Sequence, residues 1–341
     1  KVYGLALGVL VGGILQLIFQ LVPVFLKGFR IYPLIDFAHK GLKNVVQLML
    51  PTVFGQAIHE INIIVDTMLA WKLGVGAVSF LYYSNHLMQL PLGVFAIAVS
   101  TVILPLLARN VSDKNPDEFK KSLFFGMEIV LFIMLPCSIF LLLAGKEIIF
   151  ILFERGRFDD YSTAQTYYTL CFYSAGLIFI SGVRIIVQAF YANKDTKTPV
   201  KIAAVAMVLN IILNLILIRF FKWGGLALAT SISALINFGI LIVLLKKRVP
   251  EIKWSEDIIS FLKIFLSSVL MGITAFIIRF FLTPDKVSMA VNPVINSILY
   301  LVIFSAGTAG VYFLSCYLSK VEVMFNIFRI LFVKTRKEGR E

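Results

Sequence analysis

The sequence predicts an all-α protein, a polytopic membrane helix bundle of about nine transmembrane helices. Three observations predict it. Of the 341 residues, 59% are hydrophobic and only 15% charged, at a mean hydropathy of +0.91, well outside the range of soluble domains. Nine apolar stretches each reach the roughly 20 residues that a spanning helix needs. The connections between them alternate between rich and poor in Lys and Arg, as positive-inside sorting requires.

In chain order the spans are expected near residues 3–26, 45–71, 86–107, 122–144, 164–191, 199–220, 224–245, 261–282 and 295–318. The first begins almost at residue 1, with no start methionine, basic n-region or small-residue cleavage site, so a truncated N-terminus is expected. Residues 27–44 mix Pro33, Asp36, His39 and Lys40 with Phe29, Ile31, Tyr32 and Phe37, which suits an interfacial inter-lobe linker. Six spans then form a lobe over 45–245, in which Met49-Leu50-Pro51 recurs weakly as Met134-Leu135-Pro136. A basic loop, 246–260, containing Pro250, sets apart a two-helix appendage at 261–318. The tail, 319–341, is apolar from Val321 to Val333 and then basic (Lys334, Arg336, Lys337), and predicts a short amphipathic helix on anionic inner-leaflet lipid.

Twenty-one Lys and Arg fall on one set of connections, the tail included, and nine on the other. The C-terminus is therefore expected in the cytoplasm and residue 1 outside. The net charge of +13 lies in these connections and does not argue for nucleic acid. Cys137, Cys171 and Cys316 occupy three different spans without metal or redox spacing.

The informative residues are polar and lie inside the spans. Span two carries Gln56, His59, Glu60, Asn62 and Asp66, of which His59, Asn62 and Asp66 share a face at i, i+3, i+7. Each charge near the bilayer centre costs about 2.5–3.5 kcal/mol, so the cluster should face protein or water. His59 and Glu60 satisfying each other is the plainer account of that pair. Asn210 and Asn214 stack on span six, and Thr230, Ser233 and Asn237 form a stripe on span seven. Such oxygens suit a hard cation, while interhelical hydrogen-bond glue, common in membrane bundles, is the plainer account. Arg184 in span five either binds an anionic group such as phosphate or pairs with Glu60 or Asp66. Ser79, Asn85, His86 and Gln89 line the approach to Pro91 and Gly93, which bend or thin a helix. Gly-rich phosphate loops, His/Cys metal sets and triads are missing, and three histidines offer little acid/base chemistry, so transport is expected rather than enzyme activity.

The run Tyr82-Tyr83-Ser84-Asn85-His86-Leu87-Met88-Gln89-Leu90-Pro91-Leu92-Gly93-Val94, followed by Ile103-Leu104-Pro105, resembles the signature of the MurJ/MviN lipid II flippases. Leu152–Phe158 and Asp195–Lys201 resemble that family's extracytoplasmic loop and cytoplasmic turn. The resemblance implies fourteen helices in two six-helix lobes plus two groove helices. Residues 1–26 would then be the last helix of an N-terminal lobe whose first five helices are lacking, and 261–318 the lipid groove. It implies a multi-pass protein of the bacterial inner membrane that moves lipid II outward by alternating access, with membrane lipids and the missing lobe as partners. Ser79, His86, Gln89 and Arg184 fall at headgroup-binding positions, although His86 stands where arginine is usual and Gln89 where glutamate is common. Asp66, Asn210, Asn214 and Thr230 match a sodium site of some members, with Asn214 where an acid is expected. No other cofactor is implied. The alternative is a polysaccharide-lipid flippase or cation-coupled drug antiporter of the same MOP superfamily, which would lack the last two spans. A membrane enzyme acting on isoprenoid phosphates would need acidic metal-binding pairs or a His/Asp set at a membrane face, which this sequence does not offer.

Overall fold

The computed structural model describes residues 2–28, 40–249, 258–282 and 293–327. Nine long helices run through them, with a short one at 322–327: α1 (Val2–Leu26), α2 (Lys40–Trp71), α3 (Ala77–Ser112), α4 (Pro116–Phe153), α5 (Asp160–Ala192), α6 (Lys197–Phe221), α7 (Trp223–Arg248), α8 (Ile258–Phe281) and α9 (Pro293–Leu318). Among the described residues, eight are long and apolar enough to cross a membrane. The exception is α2, the second expected span. At 32 residues it is about 48 Å long, more than a bilayer core requires. Its polar side chains, Glu60, Asn62 and Asp66 among them, lower its hydropathy below that of the other eight. The chain divides into two compact units, Lys1–Leu48 and Met49–Glu341. Much of the expected linker and of the basic loop, including His39 and Pro250, lies outside the described residues.

In the larger unit α5 is the central helix, packed on α3, α4 and α7, while α6 covers α7, and α8 and α9 pack on each other and on α4. Its core is Leu123, Met134, Leu170, Leu177, Ile185, Ile186 and Leu226, all fully buried. Serine and tyrosine hydroxyls tie helix to helix through backbone carbonyls: Ser138 to Ser174 O at 2.6 Å, Ser231 to Phe172 O at 2.6 Å and Tyr312 to Phe132 O at 2.7 Å. The appendage is also held by Arg279, which donates to Leu143 O on α4 and lies 5.9 Å from the Tyr167 ring.

Local sequence sets the helix ends. Asn115 caps α4 by accepting from Glu118 N–H at 3.1 Å, with Pro116 in the first turn, and Asp159 caps α5 by accepting from Ser162 N–H at 2.9 Å. Asn110 pins the turn between α3 and α4 through Glu118 O and the Ser122 hydroxyl. Pro91 cannot donate to the carbonyl one turn back, and α3 continues as a π-turn over Leu92–Ala96. At the ends of α3, α5 and α9 the chain closes in paired bonds, Asn115 N–H to Asn110 O, Asp195 N–H to Phe190 O and Val321 N–H to Cys316 O. The residue at the turn is Lys114, Lys194 or Lys320, with φ of 52°, 58° and 53°, where glycine is usual.

The tail differs from expectation. Helix covers residues 322–327, and Val321, Val323 and Met324 are buried against Phe132, Ile264 and Tyr312 rather than laid on lipid, because α8 and α9 leave an apolar cleft that they fill. The rest of the tail lies outside the described residues.

Two predictions follow from this packing. A Cβ on Gly176 would lie 2.3 Å from the Ser231 hydroxyl and 2.8 Å from its Cα, so Gly176→Ala must part α5 from α7. Thermal unfolding in detergent should show a loss of about 1–3 kcal/mol, while Gly93→Ala, with open space around it, changes little. Asp195 accepts from Thr198 N–H at 3.0 Å, from the Thr198 hydroxyl at 2.7 Å and from Arg248. Burial opposes its charge, but these bonds outweigh burial and hold the carboxyl below the usual carboxylate range. A carboxyl depressed in the folded state stabilises above its unfolded pKa and loses that contribution as pH falls through the folded value. Asp195→Asn should therefore be less stable than the wild type at pH 7, with the gap closing below about pH 4.

Candidate functional site

The polar residues of α2, α6 and α7 meet in one continuous chain. Asn62 Nδ2 donates to Asp66 Oδ2 at 3.4 Å and Asn214 Nδ2 to Asp66 Oδ1 at 2.6 Å. Asn214 Nδ2 also donates to Asn210 Oδ1 at 2.8 Å, and Asn210 Nδ2 to the Thr230 hydroxyl at 3.4 Å. Thr230 in turn donates to Leu226 O one turn back. The convergence follows from the helix ends. Asp66 lies about 8 Å before Trp71, Asn214 about 10 Å before Phe221 and Thr230 about 10 Å after Trp223, so all three stand at one depth. The i, i+4 spacing of Asn62 with Asp66 and of Asn210 with Asn214 puts each pair on one face.

Beside this chain is a cavity of about 170 Å³ lined by Gly55, Ile58, Asn62, Asn210, Thr230, Ser233 and Asn237. The stripe Thr230, Ser233, Asn237 thus faces one space. Asn62 Oδ1, Asn214 Oδ1, Ser233 Oγ and Asn237 Oδ1 are buried without a hydrogen-bond partner. Asn62 and Asn214 touch Asp66 directly, Ser233 and Asn237 line the adjoining cavity, and such unpaired acceptors carry a cost that a cation or water would relieve. The donor set is all oxygen, which fits a hard monovalent cation. The side chains of Gln56 and His59 lie outside the described residues, so the expected pairing of His59 with Glu60 does too.

Asp66 itself lines a second cavity, of about 270 Å³. The lining also includes Thr67, Tyr82, Asn85, His86, Gln89 and Tyr173. His86 Nδ1 lies 3.0 Å from Tyr82 O, its ring 4.1 Å from the Tyr82 ring, and Gln89 donates to Asn85 Oδ1. Asp66 is the one carboxylate of that lining. Tyr173 and Tyr82 were not among the expected residues. A tyrosine in an apolar helix is read as core from sequence, and only its place beside the Asn85–Gln89 run could have suggested otherwise.

Ser79 is exposed on α3 and absent from the lining of either cavity. Arg184 lines neither cavity and makes no ion pair among the described residues. The expected alternative, a salt bridge to Glu60 or Asp66, is not formed. Depth is the reason: Arg184 lies about 36 Å along α5 from Asp160 and about 12 Å from Ala192, whereas His86 and Asp66 lie near the opposite end of their helices. Because α5 is about 50 Å long, Arg184 sits near the edge of a centred 30 Å slab, not in its middle.

Comparison with known proteins gives these cavities a setting. The family model described as lipid II flippase MurJ matches residues 1–295. Similar proteins include a probable lipid II flippase MurJ of Vibrio cholerae, 38% identical over 238 residues, which are 70% of this chain and 45% of that protein. Another is a lipid II flippase MurJ of Burkholderia cenocepacia, 32% identical over 253 residues, 72% of this chain and 49% of that protein. The chain spans about half the length of the curated relatives it matches. Among solved structures, a lipid II flippase MurJ in an inward closed conformation aligns at a TM-score of 0.60 and 27% identity, covering 84% of this chain and 58% of that one. An outward-facing multidrug resistance MATE transporter of the MOP superfamily aligns at 0.53 and 17% identity, covering 82% of this chain and 66% of that one, a likeness of fold alone.

Proposed function

The chain belongs to the lipid II flippase MurJ family, and from that premise we propose that it is the C-terminal part of a lipid II flippase of the bacterial inner membrane. With its N-terminal lobe, the whole protein moves the undecaprenyl-pyrophosphate-linked disaccharide-pentapeptide from the inner to the outer leaflet by alternating access. The excess of Lys and Arg on one set of connections supports a cytoplasmic tail.

The observation that carries the reading is the double place of Asp66. Its carboxylate accepts from Asn214 in the oxygen-lined network and also lines the cavity of His86 and Gln89. A pyrophosphate and sugars cannot cross hydrocarbon unshielded. His86, Gln89 and Asn85 offer the hydrogen bonds that replace their hydration, while α8 and α9 keep the isoprenoid tail in the lipid. An ionised Asp66 repels that pyrophosphate at close range, and a neutralised Asp66 does not. Asp66, Asn62, Asn210, Asn214 and Thr230 would hold sodium, which supplies, when bound, the positive charge that offsets the carboxylate. Arg184 serves nearer the inner edge, where its unpaired guanidinium takes a phosphate before it enters.

Translocation of lipid II in cells depleted of their own flippase, supplied with the full-length parent of this chain, tests the reading. Asp66→Ala and Arg184→Ala should each lower translocation by about tenfold or more, equivalent to about 1.4 kcal/mol, with Ser79→Ala affecting it less than His86→Ala. No rescue by a well-expressed parent sinks the assignment. In detergent, NaCl should raise the melting temperature of the parent above that in choline chloride. Asp66→Ala and Thr230→Val should lose that difference, and a sodium response that survives in both would remove the ion from this network.

A further inference from the structure

The cavity of about 680 Å³ at the start of α8 and the end of α9 contains no residue of the Asp66 network or the His86 cavity. It is lined by Lys263 of α8, by Lys320 and Glu322, and by Tyr317, Leu318 and Phe325. One half is cationic and the other apolar.

Among the described residues the cationic half keeps a net positive charge. Neither the Lys263 nor the Lys320 side chain makes an ion pair or hydrogen bond among the described residues, and Glu322 is the one acid in the lining. Lys263 stands about 8 Å inside the first residue of α8, half-buried in a helix whose other charged residue, Arg279, lies in its last turn. An ammonium there without a partner suits an anion brought from outside. The floor is fixed in advance. Val321, Val323 and Met324 are buried in the cleft between α4, α8 and α9, and the Lys320 and Val321 amides donate to Tyr317 O at 3.1 Å and Cys316 O at 3.0 Å. Lys320 holds φ at 53°, a left-handed conformation that glycine would adopt freely, so the turn itself does not require the lysine side chain. The Tyr317 and Phe325 rings lie 5.7 Å apart beside exposed Leu318. From the cavity, exposed Leu262, Phe265 and Leu266 continue along α8.

We propose that this cavity seats the headgroup of an anionic phospholipid, its phosphate between Lys263 and Lys320 and its acyl chains along the exposed apolar sides of α8 and α9. That this is the inner leaflet rests on the orientation proposed above; the site itself does not. A free phosphate would leave the apolar half unused. A zwitterionic lipid would bring its own cation against two ammonium groups, whereas phosphatidylglycerol meets both halves.

The test uses the full-length parent in detergent, with thermal unfolding followed while phosphatidylglycerol, phosphatidylcholine or inorganic phosphate is added. Phosphatidylglycerol alone should raise the melting temperature, by a few degrees at saturation. Lys263→Gln with Lys320→Gly should unfold as the parent does in phosphatidylcholine and lose the phosphatidylglycerol shift. Lys320→Gly by itself, at a position glycine relaxes, guards against a double variant that fails to fold, and should show a reduced shift. A photoactivatable phosphatidylglycerol should label the peptide spanning residues 317–327. A shift of full size in the variants, an equal shift with phosphatidylcholine or phosphate, or labelling confined to other peptides would overturn the proposal. None of these readouts depends on flippase activity, so the two proposals fail separately.

Discussion

A bilayer core offers no water, so every polar group that enters it must find its partner on the protein. That constraint explains the helices, and it also explains how they are held together. Ser138, Ser231, Tyr167 and Tyr312 each send a hydroxyl to a carbonyl of a neighbouring helix that already serves its own helix. Each bond contributes little, roughly 0.6 kcal/mol in membrane bundles. Their value is positional, because a hydroxyl paired across an interface fixes the rotation of both helices. Close approach at Gly176 and Gly182 completes the arrangement, since any side chain there would meet Ser231 or Phe238.

The same constraint gives the Asp66 network its meaning. The Asp66 carboxyl accepts from Asn62 and Asn214, and the side-chain oxygens of both amides remain without donors. A structural interface would be expected to satisfy all of them. Buried polar atoms without a partner also occur at Thr166, Ser174 and Tyr300, so what marks this network as a candidate site is that Asp66 also lines the cavity of His86.

Much of this was legible in the sequence for a physical reason. Helical periodicity is local, so the shared faces of Asn62 with Asp66 and of Asn210 with Asn214 follow from spacing, and the stripe Thr230, Ser233, Asn237 faces one cavity as its spacing implies. What depends on where a helix ends was less legible. Arg184 reads as central in an apolar window, but α5 extends past the bilayer thickness and carries it toward the edge. The tail reads as amphipathic, yet the partner of its apolar side is the cleft between α8 and α9, which no local pattern encodes. Tyr173 is silent in sequence because an aromatic residue lining a cavity and one filling a core look alike.

Lys114, Lys194 and Lys320 each end a helix in a backbone conformation that costs an L-residue about 1–2 kcal/mol relative to glycine. In an up-and-down bundle the ends of α3, α5 and α9 fall on one face. A positive charge there complements the helix dipole and is also what the insertion machinery reads when it decides which loops to retain. At these three ends a helix stop and a positive-inside signal would coincide, whereas Lys222, with φ of 50°, ends α6 at the opposite face. A glycine introduced to ease these turns would steady the finished helix and, during biosynthesis, erase part of the instruction that tells the nascent chain which way to face.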